Sequence, residues 1–259
     1  MKDLTIIVPL VEYVDEMKEM FDISLNSILT TDMKDESSII FIGPKSSLDV
    51  LEDYSWGDRE ILFIENEKNI EPQFQINKAI KDVKTAYFTV LEFDDKFNDF
   101  WFNEVEKYIK HYPDVSIFLP LIEVYDFKRP ELGAVAYANE PVWASSFSEE
   151  LGFLDVESLK NHYNFIVSGA IIKKSDYIYA GGIKTSLKYF FWYEFLLRLC
   201  HNGKRAFVIP KVGYEHFVNR DNSMTSIIQN KDNEEIDFWF TTAQEEYPYK
   251  NDRKKTYNS

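Results

Sequence analysis

The sequence contains a single cysteine, Cys200, among its 259 residues. One thiol excludes an internal disulfide, and it also excludes a structural zinc site built from several thiolates. A chain without disulfides suits a reducing compartment, so we predict a cytoplasmic protein.

Positive charge is also scarce. Lysine and arginine together number 29 against 44 aspartate and glutamate residues, which gives a formal net charge of −15. Proteins that wrap nucleic acid hold its phosphates with clustered basic residues. This composition therefore argues against nucleic acid as a partner, and an anionic substrate needs a bound metal ion or a few well-placed basic residues.

Long hydrophobic runs are missing as well. No apolar stretch approaches the roughly 20 residues that a membrane-spanning helix requires, so we predict no transmembrane segment. The N-terminus turns acidic by Glu12 and has neither the length nor the order of a secretory signal. The oligomeric state stays open.

The sequence does contain enough apolar residues for a large core, because 45% of it is hydrophobic and 16% is aromatic. Short apolar runs predict strands at residues 4–9, 38–42, 60–64, 85–91, 115–124, 167–172, 205–209 and 212–217. Helical spacing predicts helices at residues 17–29, 73–83, 98–111 and 189–201. Residues 126–157 contain scattered prolines and glycines, which predict a long loop or lid.

This alternation of strands and helices predicts an α/β fold with a mostly parallel central sheet and helices on both faces. In such sheets, ligands bind beyond the carboxyl ends of the strands. The fourth predicted strand ends in Glu92, Asp94 and Asp95. Glu92 and Asp94 are two residues apart, so on an extended backbone they point the same way and can offer oxygens to one divalent cation. The alternative is a solvated acidic turn.

The order of these elements resembles that of the family 2 glycosyltransferases of the GT-A fold, over roughly residues 4–225. The resemblance begins with Ile6-Ile7-Val8-Pro9 and continues through Asn69 and a short helix to the acidic strand end, where Glu92 stands in place of the first aspartate. It also includes three later segments: Gly181-Gly182-Ile183, Phe195-Leu196-Leu197-Arg198-Leu199, and Val212 to His216 with Asn219 to Ser223.

The resemblance implies a metal-dependent, inverting, hexosyltransferase-like enzyme of the nucleotide-diphospho-sugar transferase type. Such an enzyme moves a sugar from a nucleotide-sugar donor to a hydroxyl of a carbohydrate or other acceptor, with Mn²⁺ or Mg²⁺ as cofactor. We expect residues 1–225 to form a single domain of this type. Residues 226–259 are then an acidic helical extension with a charged tail.

The resemblance also implies a set of site residues. The metal ligands are Glu92, Asp94 and His216. The donor-binding residues are Pro9, Leu10, Glu12, Asn69, Asn77 and Phe93. Trp192 and Gly169 lie on the acceptor side, and Glu194 and Asp95 are the catalytic candidates. Basic side chains that could steady phosphates are Lys204, Arg205 and Arg220.

Two departures from the family pattern stand out. Gly43-Pro44 replaces an acidic pair near the nucleotide base, and Phe191-Trp192 replaces the Glu-Asp pair that includes the expected catalytic base. Glu194 is the nearest carboxylate, but it is turned about 200° from position 192 on a helix. Glu194 either fills the first acidic position or forms a helical ion pair with Arg198 at i+4.

The catalytic base therefore stays open, with Glu123, Asp126 and Asp155 as further candidates. So does the function, because a glycosyltransferase-like protein with impaired catalysis could instead bind a sugar or another protein. Several of these residues also have a purely structural alternative to a role in a binding site. His216 could be a structural histidine, Asn77 could cap its own helix, and Phe238-Trp239-Phe240 could pack on the core.

Overall fold

A ten-stranded curled sheet lies at the centre of the computed structural model, which describes residues 3–31, 37–147, 149–220 and 233–250. The strands are β1 (Leu4–Pro9), β2 (Ser38–Gly43), β3 (Glu60–Glu65), β4 (Tyr87–Val90), β5 (Lys96–Phe97), β6 (Val115–Asp126), β7 (Ala134–Ala138), β8 (Phe153–Leu154), β9 (Ile171–Lys173) and β10 (Arg205–Val218). The α-helices are α1 (Lys18–Thr30), α2 (Lys45–Val50), α3 (Pro72–Ala79), α4 (Trp101–His111), α5 (Val156–Asn161), α6 (Lys174–Tyr179), α7 (Phe191–His201) and α8 (Asn233–Glu245).

The main path through the sheet follows the order β3-β2-β1-β4-β9-β6-β10-β5, and β7 and β8 pair beside it. The six strands β1 to β4, β6 and β10 run in one direction. The short strands β5, β7, β8 and β9 run against them. The predicted mostly parallel α/β sheet is therefore confirmed.

The sheet is covered on both faces, as its alternating side chains require. Along β1, Ile6 and Val8 belong to a core that also contains residues of α1, α2 and α4. Ile7 belongs to a second core that contains residues of α3, α6 and α7. Both cores are built from buried, mostly aliphatic and aromatic side chains, and β1 lies between them.

The prediction of an irregular lid at residues 126–157 is wrong in part. β6 extends to Asp126, and the chain returns as β7, which pairs antiparallel with β6. Gly133 adopts a left-handed conformation (φ 67°) just before β7, which glycine tolerates without a steric cost. β8 and α5 follow in the same segment. The prolines and glycines there mark turns between short elements.

The two strands predicted at residues 205–209 and 212–217 form one continuous strand, β10. Val208 pairs with Leu119 and Val212 pairs with Leu121, so β10 advances four residues while β6 advances two. The extra residues form a bulge around Pro210, whose nitrogen carries no hydrogen to donate to the ladder. A strand predicted at residues 167–172 is also shorter, because β9 begins only at Ile171.

The predicted C-terminal extension contributes α8 to the fold. The Phe240 ring packs against Phe190, Tyr193 and Tyr163, with ring centroids 5.4, 5.5 and 4.6 Å away. The domain boundary near residue 225 stays a prediction, and the charged tail from residue 251 lies outside the described residues. Over the described ranges, no helix combines the length and apolar character needed to cross a membrane.

Candidate functional site

The acidic strand end predicted from the sequence forms a cluster in the structure. One carboxylate oxygen from each of Glu92, Asp94 and Asp95 lies within 4.8 Å of the others. These residues follow β4, which pairs with β1 on one side and β9 on the other. The cluster therefore lies at the carboxyl end of a central parallel strand, where α/β sheets bind their ligands.

Neighbouring elements hold the backbone of this turn in place. The backbone N–H of Glu92 donates to the hydroxyl of Tyr214 over 3.1 Å, and the hydroxyl of Ser24 donates to the carbonyl of Glu92 over 3.2 Å. The hydroxyl of Ser168 donates to the carboxylate of Glu92. Tyr214 and Ser24 thus fix the backbone of Glu92, and Ser168 orients its carboxylate.

Gly169 packs directly behind this arrangement. Its N–H donates to the carbonyl of Val90 over 3.0 Å, and its own carbonyl accepts a hydrogen bond of 2.9 Å from the Trp101 indole. Its φ of 76° is in the left-handed region. A β-carbon at this position would lie 2.8 Å from Cγ of Tyr214, so only glycine fits here without displacing that ring.

Asp95 is fully buried, and both of its carboxylate oxygens are occupied by β10. Oδ1 accepts a hydrogen bond of 2.9 Å from the backbone N–H of Phe217, and Oδ2 lies 2.8 Å from Nδ1 of His216. Burial alone would lower the pKa of His216, but the charge of Asp95 and its hydrogen bond raise this pKa to about 9. Asp95 thus joins the end of β10 to the cluster.

Arg220 brings a positive charge into the cluster from the end of β10. Its guanidinium forms an ion pair with Asp94, and Nη2 lies 3.9 Å from Oδ1 of Asp95. Burial lowers the pKa of Arg220 to about 10 despite the opposing charge of Glu92, so the guanidinium stays charged at neutral pH. Arg220 was only one of several basic candidates in the sequence.

The carboxylates are not fully satisfied by these partners. Oδ1 of Asp94 is buried and accepts no hydrogen bond from any residue that the structure describes. Desolvation, followed by the charge of Asp95, raises the pKa of Glu92 above its ordinary value. Buried oxygens that lack partners and repel one another are stabilised by a cation. Carboxylates are also the ligands that Mg²⁺ and Mn²⁺ take, so this set of residues fits a divalent metal.

The residues predicted to bind a donor are spread over the segments that follow β1, β3 and β4 and over α3. Pro9 ends β1, and Leu10 is buried with its N–H bonded to the carbonyl of Ile42 over 2.8 Å. Glu12 forms a surface ion pair with Lys68. Asn69, also in the predicted donor set, has a left-handed backbone with φ 61°. The ring centroid of Phe93, a further member, lies 5.4 Å from that of Phe21.

Asn77, the remaining predicted donor residue, is occupied within the protein. Its Nδ2 donates to the carbonyl of Ile183 over 2.7 Å, and its Oδ1 accepts from the Tyr177 hydroxyl over 2.7 Å. Its Oδ1 also faces Gly182, where a β-carbon would lie 2.7 Å away. Asn77 therefore ties α3 to the turn after α6 and does not cap its own helix.

Glu194 forms the helical ion pair that its spacing from Arg198 predicts. The Arg198 guanidinium donates from Nε to Oε1 over 2.9 Å and from Nη2 to Oε2 over 2.8 Å. Lys184 lies 3.1 Å from Oε1, and the Tyr249 hydroxyl donates to the same oxygen over 2.5 Å. Burial would raise the pKa of Glu194, but these partners lower it. None of these hydrogen bonds reaches the acidic cluster.

The three alternative candidates for the catalytic base also lie in other surroundings. Asp155 is the N-cap of α5, where its side chain accepts from the N–H of Ser158 over 2.7 Å. Asp126 binds the Arg129 side chain. Glu123 pairs in register with Glu215, one residue from His216 on a strand, so it points to the opposite face from the cluster.

The two residues predicted on the acceptor side differ in their surroundings. Gly169 lies behind the acidic cluster, as described above. Trp192 lies in the first turn of α7, half-buried, with its ring centroid 5.8 Å from that of Phe195. The structure thus connects Gly169 to the cluster and gives Trp192 packing contacts on α7.

Comparisons with known proteins place this geometry in context. No protein-family model matches the chain. An uncharacterised glycosyltransferase of Methanocaldococcus jannaschii is 25% identical over 212 residues, which are 80% of this chain and 69% of that relative.

Among solved structures, S. aureus TarS residues 1–349 in complex with UDP-GlcNAc has a TM-score of 0.68 at 17% identity, covering 86% of this chain and 61% of that one. A mannosyltransferase from Pyrobaculum calidifontis, in complex with GDP-Man and Mn²⁺, has a TM-score of 0.61 at 13% identity, covering 88% and 60%. The chain has a glycosyltransferase fold of the GT-A type. It spans about three fifths of the length of these two solved chains.

Within this fold, the residues that sequence patterns missed are Ser168, Tyr214 and Trp101 as supports of the cluster. Each of them acts through a contact with the backbone or side chain of a residue distant in sequence. Position alone carried a signal for Tyr214, which precedes His216 by two residues and so shares its face of the strand.

Proposed function

We propose that this chain is a metal-dependent, inverting glycosyltransferase that moves a sugar from a nucleotide-sugar donor to an acceptor hydroxyl. The observation that carries the proposal is the cluster of Glu92, Asp94 and Asp95 at the end of β4, within a fold shared with TarS and the mannosyltransferase. The solved structures of those two proteins contain UDP-GlcNAc and GDP-Man, respectively. The M. jannaschii relative, which carries the name of a glycosyltransferase, supports the same activity.

Glu92 and Asp94 are the proposed ligands of Mg²⁺ or Mn²⁺. A divalent ion held there would supply positive charge against the diphosphate of the donor as it leaves. The chain itself orients the ligands, because Ser168 and Tyr214 fix Glu92. The buried, unpartnered oxygen of Asp94 supports the assignment. His216 remains a proposed ligand through Nε2, since its Nδ1 is bonded to Asp95, and Nε2 must release its proton when the ion binds.

The two predicted catalytic residues take different proposed roles. Asp95 is buried and bonded to His216 and Phe217, so we propose that it positions the end of β10 against the cluster. Glu194 is enclosed by Arg198, Lys184 and Tyr249, and we propose a structural role for it. The proposed donor side is formed by the segments that follow β1, β3 and β4, and the proposed acceptor side by Gly169 and Trp192.

Nucleotide sugars offered with Mn²⁺ or Mg²⁺ test the proposal directly. We expect transfer or slow hydrolysis of at least one donor, and loss of this turnover by at least a hundredfold in Asp94→Asn. The matched control is Asp99→Asn, which removes an exposed carboxylate five residues away and should keep full turnover. Undiminished turnover in folded Asp94→Asn would contradict the proposed metal site.

A second candidate function is a sugar- or protein-binding module with impaired catalysis. Trp192 occupies the first turn of α7, and the nearby carboxylate of Glu194 is committed to an ion pair. A thermal shift assay with nucleotide sugars, with and without metal, separates the two functions. A ligand at 100 times its Kd stabilises the folded state by about 2.7 kcal/mol. Stabilisation without any product would favour the binding module.

We propose that the protein is located in the cytoplasm. The one cysteine, Cys200, is a buried thiol, which is in keeping with a reducing compartment.

A further inference from the structure

Arg220 occupies the cationic position of the acidic cluster. Its guanidinium pairs with Asp94 and lies near Asp95, and its side chain is only 5% exposed. A divalent ion bound by Glu92 and Asp94 would compensate the same negative charge. Two cations held by the same carboxylates repel each other at close range, so full occupancy by both is unfavourable.

The ion pair leaves the cluster incompletely satisfied. Oδ1 of Asp94 is buried without a hydrogen-bond partner among residues 3–31, 37–147, 149–220 and 233–250. A guanidinium is planar and reaches carboxylates at a fixed angle, whereas a metal ion can be approached by oxygens from several directions. The cluster therefore has an oxygen that Arg220 does not use and that a metal ion could take.

The position of Arg220 in the chain allows its side chain to move out of the acidic cluster without breaking the sheet. The last paired residues of β10 and β6 are Val218 and Asp126, so Arg220 lies beyond the ladder. Asn219 turns the chain through a left-handed conformation (φ 62°). Within the described residues, the further hydrogen bond of Arg220 runs from Nε to the carbonyl of Phe217 over 2.8 Å. Withdrawal of this side chain therefore leaves the pairing of β10 with β6 intact.

We propose that Arg220 is an exchangeable counter-ion of the acidic cluster. It neutralises Asp94 and Asp95 in the metal-free protein and withdraws when a divalent ion binds. The affinity of the site for metal is consequently set by competition with Arg220, and metal binding frees a guanidinium beside the site. This inference rests on the metal site of the proposed function.

Calorimetric titration with Mn²⁺ alone tests the competition. We expect Arg220→Met to bind Mn²⁺ at least tenfold more tightly than the wild-type protein. The matched control is Arg129→Met. It removes another arginine that is paired with an aspartate, Asp126, and so removes one positive charge, as Arg220→Met does. It should leave the Mn²⁺ affinity within a factor of two of wild type. Equal or weaker binding in folded Arg220→Met would overturn the proposal.

A second measurement uses only the wild-type protein, so it does not depend on the folding of a variant. Phenylglyoxal modifies accessible arginine side chains, and peptide mass spectrometry locates the modification. We expect Arg220 to be protected without metal and to react at least fivefold faster at a Mn²⁺ concentration that saturates the site. Unchanged protection at saturating Mn²⁺ would overturn the exchange.

The two proposals fail in different ways. In one outcome, the protein transfers sugar without a divalent ion and binds no Mn²⁺, with or without a nucleotide. This result would overturn the exchange and make Arg220 the permanent cation of a working enzyme. Tighter Mn²⁺ binding in Arg220→Met, with no turnover of any nucleotide sugar by the wild type, would support the exchange and count against the transferase.

Discussion

Gly169 lies directly against the ring of Tyr214, and a β-carbon at position 169 would lie 2.8 Å from the Cγ atom of that ring. Tyr214 in turn accepts the hydrogen bond from the N–H of Glu92. A small change at Gly169 should therefore reach the acidic cluster through one side chain.

Gly169→Ala should destabilise the protein by about 2–4 kcal/mol, because it adds left-handed strain of about 1 kcal/mol to an overpacked contact. Gly203→Ala is the matched control. Gly203, just past the end of α7, has a similar φ of 70° but no neighbouring atom within 4 Å of the added carbon. Urea unfolding of both variants measures the difference, and equal losses would contradict the packing argument.

The hydroxyl of Tyr214 provides a finer test of the same support. Tyr214→Phe removes one buried hydrogen bond to the backbone of Glu92 and should cost about 1 kcal/mol of unfolding free energy. If this bond positions the cluster, calorimetry should also show weaker Mn²⁺ binding, by about threefold. Tyr137→Phe removes an exposed hydroxyl and serves as the control. Unchanged affinity in Tyr214→Phe would leave the hydroxyl with a role in stability alone.

The aromatic contacts of α8 predict that the C-terminal helix is part of the folded unit. Phe240 packs on Phe190, Tyr193 and Tyr163, so Phe240→Ala should lower the free energy of unfolding by about 2–4 kcal/mol. Phe238, two residues earlier, is 61% exposed, and Phe238→Ala should change this free energy by less than about 0.5 kcal/mol. Similar small effects from both variants would show that α8 docks too weakly to contribute to the free energy of unfolding.

The ionisation of Glu194 should make the free energy of unfolding depend on pH. Burial acts to raise the pKa of this carboxyl, but Arg198, Tyr249 and Lys184 lower it below the ordinary value of 4.5. A lowered folded-state pKa means that the ion pair contributes its full stability above about pH 4.5 and loses it as the pH falls through the folded pKa.

Glu194→Gln should therefore be about 3–5 kcal/mol less stable at pH 7, because it leaves the buried Arg198 charge without its partner. The difference from wild type should shrink as the pH falls below 4.5 and through the lowered pKa of Glu194. Circular dichroism of thermal unfolding at several pH values measures this. Glu104→Gln, on a surface pair with Lys107, is the control and should show little effect at any pH. A pH-independent deficit in Glu194→Gln would contradict the assignment.

Much of the fold follows from patterns that are local in the sequence. The strands β1 to β4 and the helices α1, α4 and α7 come from short apolar runs and helical spacing, and the structure confirms them within a few residues. The acidic residues were predicted to share one face of an extended chain, and this premise is wrong: residues 92–95 form a turn in which the N–H of Asp95 donates to the carbonyl of Glu92 over 3.0 Å, and this turn brings the carboxylates together. The Glu194–Arg198 pair was predicted from its i+4 spacing.

The remaining features depend on contacts between distant segments. Asp95 and His216 are 121 residues apart, and their contact is determined by the pairing of β10 with β5 and β6. The bulge around Pro210 shifts the register of β10, so residue spacing alone does not tell which side chains reach the cluster. For the same reason Arg220 could not be distinguished from the other basic residues. β7 was missed because prolines and glycines surround a strand of only five residues.

One strand, β10, delivers Tyr214, His216 and, just past its end, Arg220 to a turn formed more than a hundred residues earlier. During synthesis, the acidic turn therefore emerges from the ribosome long before its compensating charges. Because pairing across such a separation closes slowly, assembly of this site should be a late event in folding.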